Sequence, residues 1–384
     1  MLTSEQTDEV VATLTLSRLQ GLTQSQALAL VARYGSACAA LADDAPTDPA
    51  WAMLQQDTSA LHAARERALQ EYDFCQAHNI RVITVTSEDY PRRLLLGKVE
   101  DRPLQLFYCG TGDIDRRYII SVVGTRNITE YGKKMCEKLI AGLAEKVPNA
   151  LIVSGLAYGV DIHAHRAALV NNIDTLAVLA HGLDRIYPRM HRETAQQMTQ
   201  HGGLLTEYFT GAIPDKGHFI RRNRIVAGMS SATIVIESAS HGGSLVTARL
   251  AGEYGRRVMA VPGRATDACS EGCNNLIRDG KATLVTCADD IVRLLGWESA
   301  PPEEKEGVQR SLFVNLSPDQ QKVCEVLQQV DDCTLDRLSQ ATDFTVSELT
   351  DILFDLEDEN LVKHLPGNLS LIHISEPTRL RCIS

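Results

Sequence analysis

The chain has 384 residues and a formal net charge of −11 at pH 7, from 38 Lys/Arg and 49 Asp/Glu. Its hydrophobic share of 44% suffices for buried cores, and its length accommodates two or three domains. No apolar run approaches the ~18 residues a membrane helix needs, no basic and apolar leader opens the chain, and the averaged charge argues against nucleic acid.

The average misleads. Residues 301–368 hold 5 basic and 15 acidic side chains, whereas residues 118–300 hold 20 and 17. The middle of the chain is mildly basic, and charge counts locally because salt screens it beyond about 10 Å. The ten cysteines are scattered without a CxxC pair. Cys269 and Cys273 lack the second pair a zinc site requires, so neither metal nor disulfide is expected, and reduced thiols in a cytoplasmic protein are.

Residues 1–75 read as a small helical domain. Val10, Val11, Leu14, Leu16 and Leu19 form one apolar set, Gly21-Leu22-Thr23 interrupts it, and Ala27, Leu28, Leu30 and Val31 resume it. Gly35 suits the left-handed position past a helix end. Helix, glycine turn and helix resemble a SAM-like or helix-hairpin-helix module, with a packing or interaction role favoured because the segment is acidic.

Residues 76–297 read as the core. Arg81–Thr86, Leu104–Tyr108, Tyr118–Val123, Leu151–Val153, Leu176–Leu179, Thr233–Ile236 and Val258–Val261 are predicted strands. Predicted helices over Met135–Leu143, His163–Val170 and Leu245–Tyr254 separate several of them. Alternation of this kind predicts an α/β, Rossmann-like, doubly wound parallel sheet, with ligands beyond the C-terminal strand ends. Residues 298–312 form a charged, Pro-containing linker. Residues 313–368 predict an acidic winged-helix domain whose hairpin is cut short. Residues 369–384 resemble a translated sequencing adapter and are set aside as a non-native tail.

The strand ends carry the chemistry. Gly124-Thr125-Arg126 offers a close backbone approach and a guanidinium that can fork onto phosphate. Ser154-Gly155, Gly159 and Asp161 follow the next strand, and Gly243-Ser244 begins a later helix. His163 and His165 point to different sides of a helix, so they do not form a metal pair; for His165 a core role and a ligand contact stay open. The strongest local signal is Lys216–Arg224, where Lys216, Arg221, Arg222 and Arg224 surround Phe219. Cations that neutralise phosphates beside a ring that stacks on bases make a single-strand binding pattern. No Walker A or GxGxxG motif implies a nucleotide cofactor, and no catalytic triad is evident.

Together these motifs resemble the bacterial DNA-processing protein A family, DprA or Smf, over about residues 5–368. The residues that carry the likeness are Val123-Gly124-Thr125-Arg126, Ser154–Asp161 with His165, and Arg222-Asn223-Arg224-Ile225-Val226-Ala227-Gly228. Gly243–Ala248, Gly255-Arg256, Val261-Pro262-Gly263, Gly272–Ile277 and Gly280 extend it. The resemblance implies an extended Rossmann core that binds single-stranded DNA, homodimerises, helps displace single-strand binding protein and loads RecA recombinase onto incoming DNA in natural transformation, without catalysis.

It also implies roles by position. Arg126 would clamp a phosphate, Lys216 and Arg222 would hold backbone phosphates, and Phe219 would stack on a base. Asn223 and Arg224 would support the pocket, with Arg221 in the same cationic run. Gly155, Gly159, Gly243 and Ser244 would give backbone or hydroxyl contacts, beside Gly124, Thr125 and Ser154 at the strand ends. An alternative is a nucleotide-binding enzyme of the phosphoribohydrolase type. That chemistry needs a Pro-Gly-Gly-x-Gly-Thr loop and a nearby acid, and Ser240-His241-Gly242-Gly243-Ser244 lacks the proline.

Overall fold

A computed structural model describes residues 3–42, 49–297, 317–329, 333–358, 362–365 and 371–374. The linker at 298–312 and residues 375–384 lie outside them. The chain divides into two compact units, residues 1–291 and 292–384, each taken by itself.

The first unit opens with α1 (Ser4–Arg18), α2 (Gln24–Tyr34), α3 (Ala37–Ala42), α4 (Pro49–Gln56) and α5 (Thr58–Ala77). Thr3 and Thr23 close reciprocal caps with Gln6 and Gln26 at the starts of α1 and α2, satisfying otherwise orphaned N–H groups. Gly35 ends α2 at φ +79°, the left-handed turn expected of it. Leu16, Leu19, Leu28, Val31 and Trp51 share one apolar cluster, which Leu104 of the following region joins.

Alternating elements follow. They are β1 (Arg81–Thr84), α6 (Arg92–Leu95), β2 (Gln105–Gly110), β3 (Ile119–Val123), α7 (Glu130–Lys146), β4 (Leu151–Ser154), α8 (Val160–Val170), β5 (Asp174–Val178), α9 (Arg192–Met198), β6 (Gly202–Thr206), α10 (Lys216–Met229), β7 (Ala232–Val235), α11 (Gly243–Glu253), β8 (Arg257–Ala260), α12 (Glu271–Arg278) and β9 (Thr283–Leu284). The division between units falls within α13 (Ala288–Leu295).

Nine strands form one sheet in the order β1-β2-β6-β5-β4-β3-β7-β8-β9. The run from β6 to β9 is parallel, while β1 and β2 pair antiparallel at one side. Parallel strands covered on both faces read as continuous apolar runs, and β3 and β4 are buried at every residue. Ile119, Val123, Leu151, Val153, Leu176, Val178, Ile225 and Val235 belong to the largest apolar cluster.

In the second unit, α14 (Pro318–Gln329), β10 (Cys333–Thr334), α15 (Leu335–Thr342), α16 (Val346–Asp358), β11 (Val362–Leu365) and β12 (Leu371–Ile374) follow in order. Val323, Leu327, Leu338, Leu349, Leu353 and Leu356 form its core. The small sheet is β10-β12-β11, antiparallel. Strand β12 falls within residues 369–384, the stretch set aside as non-native. A Leu-Ile-His-Ile run, apolar and β-branched, suits a strand whatever its origin, and here Leu371 lies opposite Leu365.

Candidate nucleic-acid interface

Strand β3 has its chain successor β4 on one side and β7 on the other. The sheet therefore reverses its winding beside β3, and such a switch point leaves a crevice beyond the strand ends. A cavity of about 700 Å³ opens there, between the loops after β3, β4 and β7 and the first turns of α10.

Two glycines let these loops meet. Gly159 sits at φ +76° before α8, and a Cβ there would lie 2.1 Å from the Thr125 carbonyl oxygen. The approach lets the Val160 N–H donate to that same oxygen at 3.1 Å. At Gly155 a Cβ would fall 2.1 Å from Nη1 of Arg222. A side chain at either position would separate the loop after β4 from its neighbours.

Arg222 forms the floor. It is 5% exposed. Its Nη1 donates to the carbonyls of Gly155, at 2.7 Å, and of Val178, and its Nε donates to Oδ1 of Asn223 at 3.2 Å. Beside it, Asp161 is buried and accepts from the Ala157 N–H at 3.3 Å. Burial pushes the Asp161 carboxyl up, and the Arg222 guanidinium opposes that shift. Arg222 thus borders the cavity as a structural cation with most of its donors engaged inside the protein.

The mouth is different. Arg126, exposed in the loop after β3, holds its Cζ 4.9 Å from the centroid of the Phe219 ring. Arg222 lies 6.0 Å from the same ring, and Tyr187 packs against it at 6.1 Å with the planes tilted by 54°. Lys216 is exposed at the first position of α10, after the Asp215 cap, whose Oδ1 accepts from the His218 N–H at 2.9 Å. Among the described residues neither Arg126 nor Lys216 has an ion-pair partner. Helix α11 begins at the opposite wall. Gly243 has open space where a Cβ would stand, Ser244 donates from Oγ to Ser238 Oγ at 3.0 Å, and Asn223 Nδ2 reaches the Gly243 carbonyl at 3.4 Å. The free N–H groups of that first turn favour an anion.

Several expected contacts lie elsewhere. Ser154 is fully buried and donates to the Val122 carbonyl at 2.6 Å, so its hydroxyl holds β4 to β3 and does not line the cavity. Gly159 shapes the wall without lining it. Thr125 lines the cavity, but its Oγ1 accepts from the Asn127 N–H at 3.1 Å. Gly124 lines the same wall. Arg224 is buried on the far side of α10, forked onto Glu207 with both bonds at 2.7 Å. Arg221 shares that far side. A helix period of 3.6 places 216, 219 and 223 on one face and 221 and 224 on another.

His165 is a core residue. Its Nδ1 lies 2.7 Å from Thr175 Oγ1, and its Nε2 accepts from the Leu156 N–H at 3.3 Å. Burial pulls its pKa down to about 3, so the ring is neutral. Glu237, the acid an enzyme reading would recruit, is 2% exposed. It accepts from the Thr129 N–H at 2.8 Å and the Thr129 hydroxyl at 2.5 Å, which fixes the start of α7. Tyr187 is the mouth residue that sequence reasoning missed. An aromatic before Pro188 in a loop was the available signal. Among the described residues no cluster of His, Cys, Asp or Glu could hold a metal, Cys38, Cys75, Cys109, Cys136, Cys269, Cys273, Cys287 and Cys324 are free thiols, and no helix is long and apolar enough to cross a membrane.

Fold and crevice together define an extended Rossmann-like protein with a cation–aromatic site at its switch point. Residues 81–296 match the family model of DNA recombination-mediator protein A. The chain belongs to that family. It is 42% identical over 197 residues to the DNA processing protein DprA of Streptococcus pneumoniae, covering 51% of this chain and 68% of that protein. It is 36% identical over 300 residues to the Smf protein of Escherichia coli, covering 75% and 76%. The X-ray structure of DprA from S. pneumoniae superposes with a TM-score of 0.62 at 32% identity, over 74% of this chain and 97% of that one. A Helicobacter pylori DprA structure, described for its single-stranded DNA binding mode, gives 0.51 at 31% identity, over 57% and 96%.

Proposed function

We propose that this protein binds single-stranded DNA in the crevice beside β3 and acts as a recombination mediator. The observation that carries the reading is Arg126 lying over the Phe219 ring at the mouth, with Lys216 exposed on the same helix face. Unpaired cations track a phosphate backbone, and an accessible ring offers a base a stacking partner without reading its sequence. The H. pylori relative, described for single-stranded DNA binding, supports it.

In this reading the bound strand is handed to a RecA recombinase as single-strand binding protein is displaced, in the cytoplasm, by a homodimer, during natural transformation. The protein turns nothing over. Engagement of Glu237 with Thr129 argues against the phosphoribohydrolase alternative, because that carboxylate does not reach the crevice. The second unit acts as an acidic winged helix that contacts protein partners, since α16 carries Glu348, Asp351, Asp355, Glu357 and Asp358 and no cation. Fluorescence anisotropy of labelled oligonucleotides with Arg126→Ala and Lys216→Ala tests the reading. Weaker single-strand binding in both supports it. Wild-type affinity in both folded variants would remove the site.

A further inference from the structure

A second cavity, of about 740 Å³, lies on the other side of α10. Arg18 from the last turn of α1, Arg67 of α5, Gln105 of β2, Tyr208 and His218 and Arg221 of α10 line it. Its chemistry repeats that of the crevice. Arg18 is exposed, lies 5.3 Å from the Phe209 ring centroid, and has no ion-pair partner among the described residues. Arg67 lies 5.2 Å from the same ring but is bound to Glu71 at 2.7 Å. Arg221 donates from Nη2 to Gln24 Oε1, a neutral partner, and reaches Glu207 only at 3.7 Å, while both oxygens of that carboxylate already receive Arg224. With Arg67 balanced by Glu71 and Arg224 by Glu207, two guanidinium charges remain in excess.

Aromatic and polar groups accompany them. Tyr208 stacks on His218 with centroids 4.1 Å apart. His218 leaves Nδ1 without a partner, and Gln105, 7% exposed, donates from Nε2 to the Glu207 carbonyl at 3.1 Å but leaves Oε1 without one. Only the width of α10, about 10–12 Å with side chains, separates this cavity from Lys216 and Phe219.

We propose that this cavity is a second subsite of the same single-stranded DNA track, taking the phosphates of a strand that leaves the crevice over the first turn of α10. Arg18 and Arg221 hold those phosphates, and the Tyr208–His218 stack faces a base. The inference rests on the crevice reading, and its test separates the two. Affinity is measured against salt for oligothymidylates of about 6 and about 20 nucleotides, lengths that bracket one and several contacts. Arg126→Ala weakens both lengths. Arg18→Ala combined with Arg221→Ala leaves the short strand unchanged, weakens the long one at least tenfold, and lowers its salt slope by about 1.4, since each phosphate released from a single strand contributes about 0.7. If the double variant does not fold, Arg18→Ala alone gives a slope change of about 0.7 on the long strand.

Unchanged affinity and slope for the long strand would overturn the second subsite while leaving the crevice reading intact. Loss of both lengths equally would also overturn it, because the residues would then belong to a single site. Thymidine monophosphate that binds wild type and not the double variant, with long-strand affinity unchanged, would make the cavity a free-nucleotide site and contradict the track. An Arg126→Ala variant that binds both lengths like wild type would instead refute the crevice.

Discussion

Arg126 and Phe219 meet at 4.9 Å, guanidinium over ring, although one lies in the loop after β3 and the other belongs to α10. The contact joins the two walls of the crevice. It also holds the cation beside the surface on which a base would stack. A cation over an aromatic face gains about 0.5–1 kcal/mol when exposed, enough to bias the orientation of Arg126 without burying its charge.

Arg126→Ala and Lys216→Ala are each expected to weaken single-stranded DNA binding about equally for different sequences. Each lost phosphate contact lowers the slope of log affinity against log salt by about 0.7. Titrations from low to moderate salt check this. A change confined to particular base sequences would mean base readout instead.

Phe219→Ala is expected to cost about 1–3 kcal/mol of single-strand affinity. Phe219→Trp keeps a ring and is expected to retain most of the binding. Isothermal titration of both variants distinguishes stacking from mere filling of the mouth, which Leu at 219 would satisfy as well.

Arg222 and Gly155 behave differently from the mouth cations. Arg222→Ala takes the guanidinium donors from the Gly155 and Val178 carbonyls and is expected to destabilise the fold by about 1–3 kcal/mol. Gly155→Ala drives a Cβ against the Arg222 guanidinium and is expected to cost about 1–3 kcal/mol. Urea unfolding measures both. Lys216→Ala in the same assay is expected to unfold like wild type.

His165 makes stability depend on pH. Burial holds its pKa near 3, below the ordinary 6.5 of the unfolded chain. The unfolded state therefore binds the extra proton between those values. Its contribution is complete above pH 6.5 and is lost as pH falls towards 3. Asp115, pushed up to about 6 by burial, acts in the opposite sense above pH 4. The difference between wild type and His165→Gln isolates the histidine, and that difference is expected to narrow on acidification.

Much of the core was legible because β3, β4, β5, β7 and β8 are apolar runs buried in a parallel sheet. Strand β6 was not. It begins Gly202-Gly203, and Gly202 packs at φ +110° against the backbone of Thr175 in the neighbouring strand, a requirement of tertiary structure that propensity does not show. The cationic run at 216–224 was equally plain, and a helical period divides it, but which face meets the crevice was hidden. Only the packing of α10 shows Lys216 and Phe219 facing the crevice, Arg222 beneath it, and Arg224 turned to Glu207. Ser154 misled for a related reason: a hydroxyl at a strand end is indistinguishable in sequence from one bonded to the next strand.

Deleting residues 313–384 removes much of the acidic excess. Single-strand affinity is expected to stay the same or tighten slightly at low salt, where like charge repels furthest. Loss of binding in the truncated protein would place the second unit in the DNA site.

The central claim is that the crevice beside β3 holds a single strand by its phosphates. A salt titration of binding to matched single- and double-stranded oligonucleotides, wild type against Arg126→Ala/Lys216→Ala, tests it most directly. The account predicts tighter single-strand binding by wild type and a salt slope about 1.4 lower in the double variant, from two contacts of about 0.7 each. Equal slopes in the two proteins, or a preference for the duplex, would contradict it.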